Sequence, residues 1–240
     1  MSGGEGWNNS PRRELAAYTV QQLFLDPDDY IVPPVAVRCI PFDDYRPISK
    51  TSSPTLPHTK CVLGTISAWL ENVQEPDKAW DPKRFEQDPR FAYHFGNLNI
   101  LTDLIKHRDA KRSNFLISTD ALNPQIFSVD NGISFDGIYN FFTWHFDQIR
   151  VGGLPKQTIE RLQQVKPDQL ERLAVLLELQ PDAEGILHPA PATPGTNRDE
   201  GVRMVGKGIQ FGLTTEEIAA INQRMQALQA DIREGREKVF

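Results

Sequence analysis

The chain has 240 residues, enough for one large domain or two small ones with a real buried core. Hydrophobic residues make up 39% and charged residues 24%, and the formal net charge is −6. That mild acidity argues against a nucleic-acid binder, which would usually carry a basic face, and says little about other partners. Met1 to Pro11 is polar and glycine-rich with no apolar stretch, so no signal peptide is expected. No apolar run approaches the ~18 residues of a membrane span. The default expectation is a cytoplasmic location.

In chain order, residues 1–11 read as a disordered tail. From Arg12 to Leu25 the apolar residues Leu15, Ala16, Tyr18, Val20, Leu23 and Phe24 recur at helical spacing, with Ser10 placed to cap and Pro11 at the first helical position. Asp26-Pro27-Asp28-Asp29 ends that helix. Ile31 to Ile40 alternates in the manner of a strand, with an extended start at Pro33-Pro34. Residues 41–60 are rich in Pro, Ser and Thr and read as a long loop. A second helix is expected over 62–73, where Leu63, Ile66, Trp69, Leu70 and Val73 share a face. Residues 74–94, with three prolines, read as an irregular excursion, and a third helix is expected over 95–106.

Asn114–Ser118 and Gln125–Val129 favour β-structure and are separated by a turn-forming segment. Helices are expected over 138–149, 156–165 and 167–179, the last opened by Pro167. Residues 180–201 hold four prolines and three glycines and read as a flexible loop. The last helix is expected over 214–236. Ile218, Ile221, Met225, Leu228 and Ile232 form a narrow seam there, suited to packing on the same domain or to a dimer. Cys39 and Cys61 lie in no CxxC or Cys/His pattern, so no zinc site is expected. They could form one disulfide, but the expectation is two free, partly buried thiols.

The chemistry concentrates in His107-Arg108-Asp109-Ala110-Lys111-Arg112-Ser113-Asn114, between a predicted helix and a predicted strand. An aspartate at such a junction can accept a proton from an attacking hydroxyl. An asparagine five residues later can return to the same pocket and offer its side-chain oxygen to a metal. Lys111 and Arg112 add positive charge where phosphate charge would develop. Phosphoryl transfer asks for this kind of positioning and charge neutralisation rather than covalent help. Asp130, twenty-one residues after Asp109, ends the second strand and opens Asp130-Asn131-Gly132, a tight turn beside the first aspartate. Oxygen ligands from Asp130 and Asn114 suit Mg²⁺ or Mn²⁺. His58, His94, His145 and His188 show no ligand spacing. Trp69, Phe141, Phe142 and Trp144 read as core, and neither GxSxG nor GxGxxG occurs.

HRDAKRSN followed by DNG resembles the catalytic loop and metal-binding motif of the kinase superfamily. With Asn in place of the usual Phe after Asp130, it resembles the atypical secretory-pathway kinases related to the Golgi casein kinase. Glu14-Leu15-Ala16-Ala17-Tyr18 and Val32-Pro33-Pro34-Val35 look like their Glu-bearing helix and its exit. Gly64 to Leu70 looks like their segment beyond the hinge. Phosphatidylinositol 3/4-kinase-like proteins share the general layout. The resemblance implies an α+β, protein-kinase-like fold over 12–180, dominated by the helical large lobe with a short catalytic β-hairpin. Residues 181–201 would form a flexible loop, and 202–240 a C-terminal helix packed on that lobe.

The same resemblance makes Asp109 the catalytic base with Lys111 beside it, and Asn114 and Asp130 metal ligands. It makes Glu14 and Lys111 part of the ATP side of the site. Only 13 residues precede Glu14 and none is lysine, so the strands carrying a glycine-rich phosphate loop and its lysine are expected to be missing, or to come from an upstream segment or a partner chain. The implied activity is transfer of the ATP γ-phosphate to a hydroxyl, with protein Ser/Thr as the favoured acceptor. The alternatives are a lipid or small-molecule kinase, since HxDxxxxN also resembles aminoglycoside-type kinases, and a non-catalytic pseudokinase that binds or scaffolds.

Overall fold

The computed structural model describes residues 10–75, 81–135 and 149–240, within which helices alternate with three antiparallel sheets. Helix α1 runs Pro11–Gln21, where Pro11 pre-sets the first turn; Ser10 stands at the N-cap but makes no side-chain cap bond. Ala16, Ala17 and Val20 face the core. At the far end Gln21 is fully buried. Its Nε2 donates to the Val32 carbonyl at 2.8 Å, and its Oε1 accepts from the Ile31 and Val32 amides at 2.7 and 2.8 Å. One side chain thus satisfies three backbone groups that precede Pro33-Pro34 and could find no ladder partner. It delivers the chain into strand β1, Val35–Pro41.

β1 pairs with β2, Cys61–Ser67, in an antiparallel ladder running from Val35 opposite Ser67 to Pro41 opposite Cys61. The helix expected over 62–73 is therefore a strand in its first half. Val62, Thr65 and Ile66 prefer the pleat, and the helical spacing that ran on through Trp69 to Val73 was accidental, since Trp69 lies past the strand and is 89% exposed. The two free thiols expected at Cys39 and Cys61 are instead joined in a disulfide, with Cα atoms 5.3 Å apart. The ladder places them diagonally: Cys39 faces Leu63, and Cys61 faces Pro41. A short helix α2, Phe42–Tyr45, lies in the region expected to be loop.

After β3, Val73–Gln74, come helix α3, Pro82–Gln87, and the long helix α4, Pro89–Ile105. α4 begins six residues earlier than its apolar spacing suggested. Asp88 caps it by accepting from the Arg90 and Phe91 amides, and Pro89 opens the first turn. Pro82 and Pro89 start helices rather than break them. Phe91, Phe95, Leu98, Leu101 and Leu104 of α4 form the centre of the main core. Each such side chain contributes roughly 1.5–3 kcal/mol on burial. Strands β4, Phe115–Ser118, and β5, Ile126–Ser128, complete the sheet β3-β4-β5. The helix expected over 138–149, with Phe141, Phe142 and Trp144, lies outside the described residues except for its last position, Ile149, which is buried.

The C-terminal third departs most from expectation. Helix α5 is Lys156–Leu162 and helix α6 only Pro167–Glu171. The chain then forms β6, Leu177–Pro181, β7, Leu187–Ala190, β8, Val202–Val205, and β9, Gly208–Phe211. The helix expected over 167–179 thus ends after five residues. The supposed loop 181–201 contains a strand, and two more strands precede the last helix. These strands form one sheet, ordered β7-β6-β9-β8. Its Leu179, Leu187, Ile209 and Phe211 pack with Val37, Leu56 and Cys61 from the β1–β2 side in a second core. Helix α7, Thr215–Arg233, opens with a Thr214/Glu217 capping box. Ile218, Ile221, Met225 and Leu228 of its seam are buried in the main core, so the seam is used within the chain.

Candidate active site

The stretch His107–Asn114 begins where α4 stops. Lys106 closes the helix in the left-handed conformation (φ 47°), and the His107 amide donates to the Thr102 carbonyl at 3.0 Å. His107 is fully buried, and its Nε2 sits 3.0 Å from the Asp130 carbonyl. A carbonyl only accepts, so Nε2 carries a proton. Burial, the main cause, pushes the imidazole down to about 4, although the Asp130 carbonyl and Asp109 pull the other way. His107 is thus a neutral brace between the two motif loops.

The β4–β5 ladder brings the motif residues together. Phe115 faces Ser128, and one step beyond this pair the Val129 amide donates to the Asn114 carbonyl at 2.9 Å. Asn114 and Asp130 therefore emerge side by side at one end of the hairpin. Phe115, Ile117, Ile126 and Ser128 point inward and anchor that register. Asn114 Nδ2 donates to the Asp109 carbonyl at 2.8 Å and to Asp109 Oδ2 at 3.0 Å. Lys111 Nζ donates to the same Oδ2 at 2.8 Å, with its own side chain 44% exposed. Asp109 is only 8% exposed and is held from two sides.

Asp130 is a left-handed residue (φ 59°), an uncommon conformation for a non-glycine side chain and a recurrent one at functional sites. Its carboxyl is pushed upward, first by loss of water and then by Asp109, with Lys111 opposing. Across from it lies Glu14 in the first turn of α1. Burial and then the Asp130 charge raise Glu14 to about 7. Asn131 Nδ2 donates to Glu14 Oε2 at 3.5 Å, while Ser128 Oγ donates to Asn131 Oδ1 at 2.7 Å. The backbone of Gly132 and Asn131 also supports the glutamate.

All five residues singled out from the sequence, Glu14, Asp109, Lys111, Asn114 and Asp130, thus converge on one patch. Sequence reading missed two others. Asn131 is fully buried and reaches Glu14, and His107 links the loops. Both were visible as motif letters, but nothing local said that they turn inward. The donor set is hard oxygen, with two mutually repelling carboxylates and the Asn114 amide oxygen, which takes no part in the Nδ2 bonds. That chemistry fits Mg²⁺ or Mn²⁺. Among the described residues no group of three or more His, Cys, Asp or Glu could hold a metal ion. A cation here would complete its shell with phosphate oxygens and water, the usual habit of Mg²⁺.

No protein-family model matches this chain, and no curated protein matches it significantly. Among solved structures, that of Fam20 from hydra, with sugar, superposes with a TM-score of 0.52 at 15% sequence identity. The match covers 98% of this chain and 73% of the hydra chain. The chain therefore shares an α+β, kinase-like fold with Fam20. No helix among the described residues is long and apolar enough to cross a membrane.

Proposed function

We propose that this chain is a kinase-like phosphotransferase that moves the γ-phosphate of ATP to a hydroxyl acceptor, with protein Ser/Thr the favoured class. The reading rests on one observation: residues 14, 109, 111, 114 and 130, from three separate stretches of the sequence, meet with bonded or charge-coupled side chains. Asp109 is the base that takes the acceptor's proton, and Asn114 and Lys111 hold its carboxylate in place. Lys111, half in solvent, is placed to leave Asp109 for a developing phosphate charge. Asp130, Asn114 and Glu14 are the candidate cation holders. ATP with Mg²⁺ or Mn²⁺ would supply the transferable group and offset its charge.

A second reading is a binding module without turnover. The disulfide favours an oxidising compartment over the expected cytoplasm.

Thermal shift with Mn²⁺ and ATP tests both readings. The wild-type protein is stabilised by the pair together, Asp130→Ala loses the shift, and Asp109→Ala keeps it but transfers no phosphate to a Ser/Thr peptide library. A wild type that shows no shift refutes nucleotide binding. A shift without turnover in the wild type selects the binding module.

A further inference from the structure

Glu14 sits in a vulnerable place. It lies in the first turn of α1, where the first amides of a helix lack intrahelical partners and ends fray. Ser10, the residue at the N-cap, makes no side-chain bond to those amides. Yet the site needs this carboxylate fixed against the Asp130 loop.

What holds this turn comes from the other end of the chain. Arg12, two residues before Glu14, is buried and forms a two-pronged ion pair with Glu217. Its Nη1 lies 2.8 Å from Oε2 and its Nη2 2.9 Å from Oε1. The two side chains are 3% and 11% exposed. Arg12 Nη1 also reaches the Gly212 carbonyl at 3.4 Å. The guanidinium passes so close to Gly201 that a Cβ there would lie 2.4 Å from its Cζ, so a larger residue would push the guanidinium from its place. Glu217 is fixed in turn, because its Oε2 accepts from the Thr214 amide at 2.8 Å and Thr214 Oγ1 accepts from the Glu217 amide at 3.1 Å. The next turn of α7 is seated in the main core by Ile218 and Ile221. A planar fork meeting a carboxylate in two places fixes direction as well as distance, which a lysine could not do.

We propose that Glu217 is a positioning residue for the candidate active site, acting through Arg12 to set the first turn of α1 and with it Glu14. The C-terminal unit thereby takes the part of a helix cap. This deepens the phosphotransferase reading and rests on it for the meaning of Glu14. Breaking one partner would strand a buried charge, so the informative protein is the double variant Arg12→Met with Glu217→Gln. Met replaces the guanidinium with apolar volume, Gln still completes the capping box, and exchanging a buried pair in this way is often close to neutral for stability.

The readouts are amide exchange across residues 12–18, the NMR resonance of the Glu14 carboxyl carbon, and Mn²⁺–ATP affinity by calorimetry. Exchange in α1 is expected to rise by at least roughly tenfold while α4 and β6 stay protected. The Glu14 resonance is expected to move and affinity to fall. An unmoved Glu14 resonance overturns the proposal, as does a moved one with affinity unchanged. If the wild type binds neither Mn²⁺ nor ATP, the phosphotransferase reading fails by itself, and the exchange and resonance still decide the positioning role. Should the double variant not fold, Arg12→Lys, which keeps the charge and loses the fork, is read in the same way.

Discussion

Replacing Glu14 by glutamine should change how stability depends on pH. In the folded protein this carboxyl is raised from 4.5 to about 7, by burial and then by Asp130, against the bonds from Asn131 and Gly132. The folded state therefore holds the proton more tightly than the unfolded chain. The contribution to stability is fully present below 4.5 and is lost as pH rises to about 7. At 1.36 kcal/mol per pH unit over that interval, the loss is about 3 kcal/mol.

His107 acts in the opposite sense. Its ring is lowered from 6.5 to about 4, so its share is present above 6.5 and lost as pH falls toward 4. The two slopes nearly cancel in the wild type over the lower part of the range, and only the difference between proteins isolates Glu14. Urea unfolding of wild type and Glu14→Gln at half-unit steps from pH 4.5 to 8 gives that difference. It should grow in favour of the glutamine variant by about 3 kcal/mol between pH 4.5 and 7, then level off. A difference that stays constant across the range would show that burial and Asp130 together do not raise Glu14, and the acid pair would be withdrawn.

Other outcomes follow from packing and covalent constraint. Converting both Cys39 and Cys61 to alanine opens a link of sequence separation 22. It should lower unfolding free energy by about 3 kcal/mol in denaturant titration, and mild reductant should have the same effect on the wild type. Gly96→Ala in α4 would place a methyl 2.4 Å from Cδ of Pro155, whose ring cannot swing away. A loss of about 1–3 kcal/mol is expected by thermal unfolding, with no change in divalent-cation binding.

The site was more legible than the scaffold around it, for reasons that lie in particular residues. His107 to Asn114 and Asp130 to Gly132 are short local strings joined by a hairpin, and hairpin register is a local property. The β6–β9 sheet was hidden because three of its strands are only four residues long, and its connections carry the prolines and glycines that read as linker. One error also caused another. With 62–73 taken as helix, Cys61 had no strand register to bring it beside Cys39, so the disulfide could not be seen. The Arg12–Glu217 pair joins positions 205 apart in sequence, and nothing in either neighbourhood announces the other.

The hairpin that carries Asn114 and Asp130 separates what the site requires from what the chain can vary. Both residues leave the ladder at its open end, beyond the Phe115–Ser128 pair, while the turn at the opposite end spans residues 119–125. Lengthening or rewriting that turn leaves the open end where it is. One residue inserted between Phe115 and Ser118 would reverse the facing of the strand before it and send Asn114 away from Asp130. Tolerance to insertion thus changes from free to nil within a few residues of one strand, and homologous or engineered chains can diverge at the tip without disturbing the candidate site at the base.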